Sequence, residues 1–317
     1  MNDSRLIASD LTVPFVDPAR TLDGSRRARV HLHRLETLWI NTGTLCNLTC
    51  GNCYIESSPR NDRLSYINRA ELEHYLDQLR ALRHDTRTIG FTGGEPFMNP
   101  DLLGMLEDTL EAGYQALVLT NAMKPMRKCR DGLLALRDRF GAQLVIRVSV
   151  DHFRQDLHEE ERGRRSWGPM LEGLRWLSEH EFAIHVAGRT RWGDDERTLR
   201  GGYARLFAAE GITVDAYDPA TLVLFPEMDE RAPVPEITEA CWGILGVDPA
   251  TVMCASSRMV VKRKGAEAPA VVACTLLPYD PRFELGPRLE DALGSVPLNH
   301  PHCAKFCVLG GGSCTST

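Results

Sequence analysis

No run of apolar residues reaches the roughly 18 that a membrane-spanning helix needs. The first residues, Met1-Asn2-Asp3-Ser4-Arg5, lack the apolar core of a secretory signal. These two absences lead to the expectation of a cytoplasmic protein with no membrane partner. An excess of positive charge is missing too: Lys and Arg number 37 against 43 Asp and Glu, a net charge of −6. That balance argues against a nucleic-acid partner held by a basic surface. The local run Arg26-Arg27-Ala28-Arg29 reads as solvated arm. Internal repeats and low-complexity tracts are absent. His31, His33, His152 and His185 lack the paired spacing of a zinc site on a helix and are expected to play ordinary structural or polar roles.

What the chain does have is cysteine, ten in all. In a reducing compartment these point to metal or redox chemistry rather than disulfides. Cys46, Cys50 and Cys53 fall in one short stretch, spaced C-x3-C-x2-C and followed by Tyr54. A cubane iron–sulfur cluster normally takes four thiolates. A tight loop with three leaves one iron without a protein ligand, and an open coordination site marks a catalytic metal. Gly51 is read as the residue whose freedom lets the loop turn. By spacing alone a zinc knuckle or a disulfide pair remains an alternative. Cys241, Cys254, Cys274, Cys303, Cys307 and Cys314 gather near the other end. Cys129 stands alone and reads as a bystander.

The 317 residues suffice for one large or two modest domains, and 43% apolar with 25% charged residues is ordinary for a globular chain. Residues 1–34 show no periodicity and read as an N-terminal arm. From 35 to 226 short apolar runs alternate with amphipathic helices. Strands are expected at 38–40, 88–91, 116–119, 144–150, 182–186 and 212–214. Helices are expected over 69–84, over 131–140 and near 195–209. Two more are expected to be capped by Asn99-Pro100 and by Ser166. Such alternation implies right-handed parallel β-α-β units. Six of them predict an α/β fold, a partial (β/α)6 TIM-like barrel with its site at the C-terminal strand ends. Residues 228–235 read as a linker. Residues 227–317 read as a small cysteine-rich C-terminal domain with a β-hairpin between Cys254 and Cys274.

The cysteine loop resembles that of the radical S-adenosylmethionine (SAM) enzymes, and Gly93-Gly94-Glu95-Pro96 resembles their GGEP motif. The resemblance implies a [4Fe–4S] cluster held by Cys46, Cys50 and Cys53, with SAM on the fourth iron. It implies reductive cleavage of SAM to a 5′-deoxyadenosyl radical that abstracts hydrogen from substrate. Gly93, Gly94 and Glu95 would then bind the SAM amino group, and Ser149 the ribose. Residues 158–174 resemble members with an auxiliary-cluster domain. Arg162 and Arg189 are read as solvated arginines, with a contact to the SAM carboxylate as the alternative. The C-terminal cysteines resemble the SPASM and twitch domains. That implies one auxiliary [4Fe–4S] cluster on Cys254, Cys274 and Cys303, with Cys307 or Cys314 as the fourth ligand. Four thiolates would suit zinc equally. The expected activity is radical SAM oxidoreduction of a peptide or protein side chain, with an electron donor such as flavodoxin or ferredoxin. A dehydrogenase of a small alcohol or aminocyclitol is the alternative. A non-catalytic zinc or iron–sulfur protein is the rival from another class.

Overall fold

The computed structural model describes residues 13–82, 85–229 and 231–313. Among these described residues, eleven strands and eight α-helices follow in chain order. They are β1 (Arg29–Val30), β2 (Thr37–Asn41), α1 (Arg69–Leu82), β3 (Thr88–Thr92), α2 (Leu102–Glu111) and β4 (Gln115–Thr120). Next come α3 (Lys124–Arg127), α4 (Arg130–Phe140), β5 (Leu144–Asp151), α5 (Gln155–Arg162), α6 (Trp167–Glu179), β6 (Ala183–Arg189) and α7 (Glu196–Glu210). The chain continues with β7 (Leu222–Phe225), α8 (Cys241–Leu245), β8 (Ser257–Val261), β9 (Ala270–Val272), β10 (Glu284–Gly286) and β11 (Val296–Pro297). Among the described residues no helix is long and apolar enough to cross a membrane.

Nine strands form one sheet in the order β10-β9-β8-β2-β3-β4-β5-β6-β7. From β8 to β7 all neighbours run parallel, and β9 and β10 add antiparallel. The six parallel strands β2 to β7, joined by helices, form the α/β layout expected of a partial TIM-like barrel. The expected hairpin is β8–β9, and it extends the same sheet by pairing β8 to β2.

Period-two alternation explains why both faces are buried. Leu38, Ile40, Ile89, Phe91, Val118 and Ile146 join the helices in one apolar cluster. Trp39, Leu117 and Val145 point the other way, into a second cluster with Met259, Val272 and Phe306 from the C-terminal part. Gly90 is required beside Trp39: a Cβ there would sit 2.3 Å from the indole.

Four readings need correction. The sixth core strand is β7, not residues 212–214. Ile212 and Val214 are buried, but as irregular chain after the left-handed Gly211 cap of α7. The turn around Asp218, whose carbonyl accepts from Leu222 N–H at 2.9 Å, then opens the strand ten residues later than Ile212. Helix α2 starts from Asp101; the Asn99 side chain accepts from Asp101 N–H at 2.9 Å and donates to the Ile67 carbonyl at 2.8 Å. Ser166 makes no capping bond; its hydroxyl donates back to the Gly163 carbonyl at 2.8 Å. Arg27 is no solvated arm residue. Its guanidinium is 1% exposed and pairs with Glu236 at 2.5 Å. It also donates to the carbonyls of Asp17, Arg20 and Leu298. With the β1–β11 pairing, this binds residues 17–30 to the C-terminal part.

Candidate active site

Strand β2 ends at Asn41, and the cysteine loop leaves from that C-terminal end. Cys46, Cys50 and Cys53 all line a single cavity of about 150 Å³. Backbone N–H groups already point at two of the sulfurs: Leu48 to Cys46 Sγ at 3.4 Å and Ser57 to Cys53 Sγ at 3.3 Å. Hydrogen bonds to sulfur are a lever by which proteins tune iron–sulfur clusters. Burial pushes the Cys46 thiol up to about 12 and raises that of Cys50. Opposing that, the charge of Arg162 favours the thiolate at both. Among the described residues no three His, Cys, Asp or Glu side chains close around a point that one ion could occupy. Thiolates on a cubane bind separate irons and need no common point, so the donor set fits that group.

Gly93 and Gly94 line the same cavity from the end of β3. They are glycines because the chain leading to Cys46 lies against them. A Cβ on Gly93, whose φ is +140°, would fall 2.5 Å from the Gly43 carbonyl oxygen. One on Gly94 would fall 2.2 Å from that of Leu45. Gly94 N–H donates to Gly43 O at 2.9 Å and Glu95 N–H to Leu45 O at 3.1 Å. Glu95 itself is 1% exposed and is not among the cavity-lining residues. Its carboxylate accepts from Thr120 Oγ1 at 2.8 Å, Asn121 N–H at 2.9 Å and Phe97 N–H at 3.3 Å. Burial outweighs these donors and pushes its pKa up to about 7.

Strand β5 supplies the next wall. Ser149 lines the cavity, and so does Asp151, held at φ +52°. Non-glycine residues rarely adopt that left-handed conformation. Asp151 forms an ion pair with Arg162 in which both side chains are largely buried. Burial works against the Arg162 charge, but Asp151 and the neighbouring thiols more than restore it. Arg189 is 7% exposed, pairs with Glu161 at 3.0 Å and donates to Asn52 O at 3.3 Å. The solvated reading of Arg162 and Arg189 is therefore wrong: both line the cavity. His158 does not; its Nδ1 lies 2.5 Å from the Val150 carbonyl and its ring packs edge-on against Trp167.

Two features escaped the sequence reading. Glu161 lines the cavity and grips the cysteine loop. Only its place beside Arg162 hinted at it, since Glu159 and Glu160 look identical in sequence. The C-terminal part also closes one side of the cavity with Leu276 and Phe306, the latter stacked on Phe225 at 5.8 Å.

A second, smaller cavity of about 20 Å³ lies beyond Leu276, which lines both. Cys254, Cys274, Cys303 and Cys307 all face it, with His302. Cys303 and Cys307 are brought together by the wide π-helical turn Cys303–Leu309. Burial raises Cys254 to about 11 and Cys303 to about 12. Cys241 stands apart, its Sγ 3.3 Å from the Thr238 hydroxyl. Cys314 lies outside the described residues.

Comparison with known proteins agrees with this geometry. Residues 40–191 match the Radical SAM superfamily. The chain is 29% identical over 143 residues to the antilisterial bacteriocin subtilosin biosynthesis protein AlbA of Bacillus subtilis (strain 168). The alignment covers 45% of this chain and 30% of AlbA, so the chain matches less than a third of that relative's length. SuiB of Streptococcus suis, solved with S-adenosylmethionine, superposes with a TM-score of 0.56 at 14% identity, over 80% of this chain and 63% of SuiB. The protein anSMEcpe, solved with AdoMet, gives 0.57 at 14% identity, over 81% of this chain and 76% of its own. At such identity the two structures establish a shared fold.

Proposed function

Taking residues 40–191 as a radical SAM domain, we propose that the protein is a radical SAM enzyme acting on a peptide or protein side chain. One observation carries the reading: three loop thiols, the Gly93-Gly94 turn, Ser149 and Arg162 converge on one cavity at the C-terminal strand ends. A reduced [4Fe–4S] cluster and SAM, when bound there, supply a 5′-deoxyadenosyl radical able to take hydrogen from substrate.

The chain's own residues bind, orient and exclude water. Cys46, Cys50 and Cys53 hold the cluster. Gly93 and Gly94 offer backbone to the SAM amino group, Glu95 ties that turn to the end of β4, and Ser149 reaches the ribose. Arg162 and Arg189 supply positive charge for the SAM carboxylate. Leu119, Phe225, Met228, Leu276 and Phe306 form an apolar side of the cavity that keeps water from a reactive centre. Residues 35–226 act as the SAM core and 227–317 as the auxiliary part. In the latter, Cys254, Cys274, Cys303 and Cys307 would hold one further cluster, which would offer a place for the electron lost when the substrate radical is oxidised. A donor such as flavodoxin or ferredoxin supplies the first electron, in the cytoplasm where thiols stay reduced.

The relatives support the peptide reading. AlbA belongs to bacteriocin biosynthesis by name, SuiB was solved bound to the precursor peptide SuiA, and anSMEcpe with a Cp18Cys peptide. The test is a reduced, anaerobic incubation with SAM. The wild-type chain should form 5′-deoxyadenosine, and the C46A/C50A/C53A variant none. Undiminished product from that variant refutes the assignment. Deuterium passing into 5′-deoxyadenosine from a labelled peptide supports the substrate class; transfer only from a small alcohol overturns it.

A further inference from the structure

The C-x2-C half of the cysteine loop is gripped by Glu161, a residue far from it in sequence. Gly51 N–H donates to the Glu161 carbonyl at 2.8 Å. Asn52 N–H donates to Glu161 Oε1 at 3.0 Å, and Asn52 Nδ2 to Oε2 at 2.9 Å. The Glu161 side chain is 3% exposed and pairs with Arg189 at 3.0 Å and Arg191 at 3.1 Å. Arg189 closes the ring by donating to the Asn52 carbonyl at 3.3 Å. The Asn52 residue, directly before Cys53, is thus held at its N–H by the carboxylate and at its C=O by the carboxylate's own partner.

A buried carboxylate left unpaired is costly. Here two guanidiniums and two amide donors surround it, and charge-assisted hydrogen bonds are roughly twice as strong as neutral ones. Rotation about the Asn52 backbone would swing the Cys53 sulfur out of the cavity, and these bonds oppose it. Gly51 does not provide this control. It is not among the positive-φ glycines, and a Cβ there would meet only Glu161 O at 3.9 Å, an ordinary contact.

We infer that Glu161 is the positioning residue that preforms the cysteine loop, an inference that rests on the loop holding an iron–sulfur cluster. Its role differs from that of a ligand: it acts through Asn52 on where Cys53 stands. Partners that orient metal ligands typically change metal affinity by about 10–100-fold when removed.

The test uses the full chain, reconstituted anaerobically with iron and sulfide. Iron released to a chelator is followed with time, and the EPR spectrum of the reduced protein is recorded. In Glu161→Ala, the iron that the C46A/C50A/C53A variant lacks should leave roughly 10–100-fold faster than in wild type, with an altered EPR line shape. Glu161→Gln, which keeps the shape without the charge, should fall between. Gly51→Ala should behave as wild type. Circular dichroism checks folding, and if the alanine variant does not fold the glutamine variant decides. Wild-type release rates and line shape in the glutamate variants, or a loss confined to Gly51→Ala, overturn the inference. A wild-type chain that takes up no cluster overturns the functional reading as well.

Discussion

Glu95 shows how a single side chain can serve a site without lining its cavity. Its three donors come from the 95–97 turn and from Thr120 and Asn121 at the end of β4. The carboxylate therefore ties the Gly93-Gly94 turn to the neighbouring strand. Burial raises its pKa from an ordinary 4.5 to about 7. Between those values the folded chain keeps a proton that the unfolded chain has released. The stability linked to Glu95 is thus fully present below about pH 4.5 and is lost as pH rises through about 7. Thermal midpoints of wild type and Glu95→Gln, taken at about pH 5 and about pH 8, should differ in slope. The wild type should lose more stability with rising pH than the variant. Equal slopes would show that the carboxylate is ionised throughout.

At the scale of elements, the turn after β3 and the chain after β2 act as one unit because glycine lets their backbones touch. Gly94→Ala would drive a methyl group to 2.2 Å from the Leu45 carbonyl oxygen, and backbone on both sides must give way. Overpacking of this kind costs roughly 1–3 kcal/mol. A thermal or urea unfolding series should show that loss, whereas Gly113→Ala, a positive-φ position with open space around it, isolates the backbone strain alone. These elements were legible in the sequence. The apolar runs of β2 and β5, the leucine spacing of α1 and α2, and the cysteine and glycine motifs each carry a local pattern. The sixth strand was not legible, because Ile212 and Val214 bury themselves without joining a ladder while β7 is four residues long. Arg27, Arg162, Arg189 and Glu161 were misread or missed for a common reason. Charged residues in polar stretches reveal their burial only when distant partners such as Glu236 and Asn52 are brought to them.

The molecule as a whole is organised by one sheet shared between its barrel strands and its C-terminal part. Through β8, the second cavity with its four cysteines is fixed relative to the first, and Leu276 stands between them. Tyr279 adds a second tie by donating its hydroxyl to Ile55 O at 2.8 Å, within the segment that follows the cysteine loop. The central claim is narrower: three thiols hold a cluster whose remaining iron is open to SAM. Its most direct test is the EPR spectrum of the reduced protein recorded before and after SAM is added, in wild type and in the C46A/C50A/C53A variant. The account predicts a wild-type component that changes shape on adding SAM, broadens further when the SAM amino and carboxylate groups carry magnetic isotopes, and is missing from the variant, where only the signal of the C-terminal cluster remains. A wild-type spectrum with no component that responds to SAM, or a SAM-responsive component that survives loss of the three loop cysteines, would contradict it.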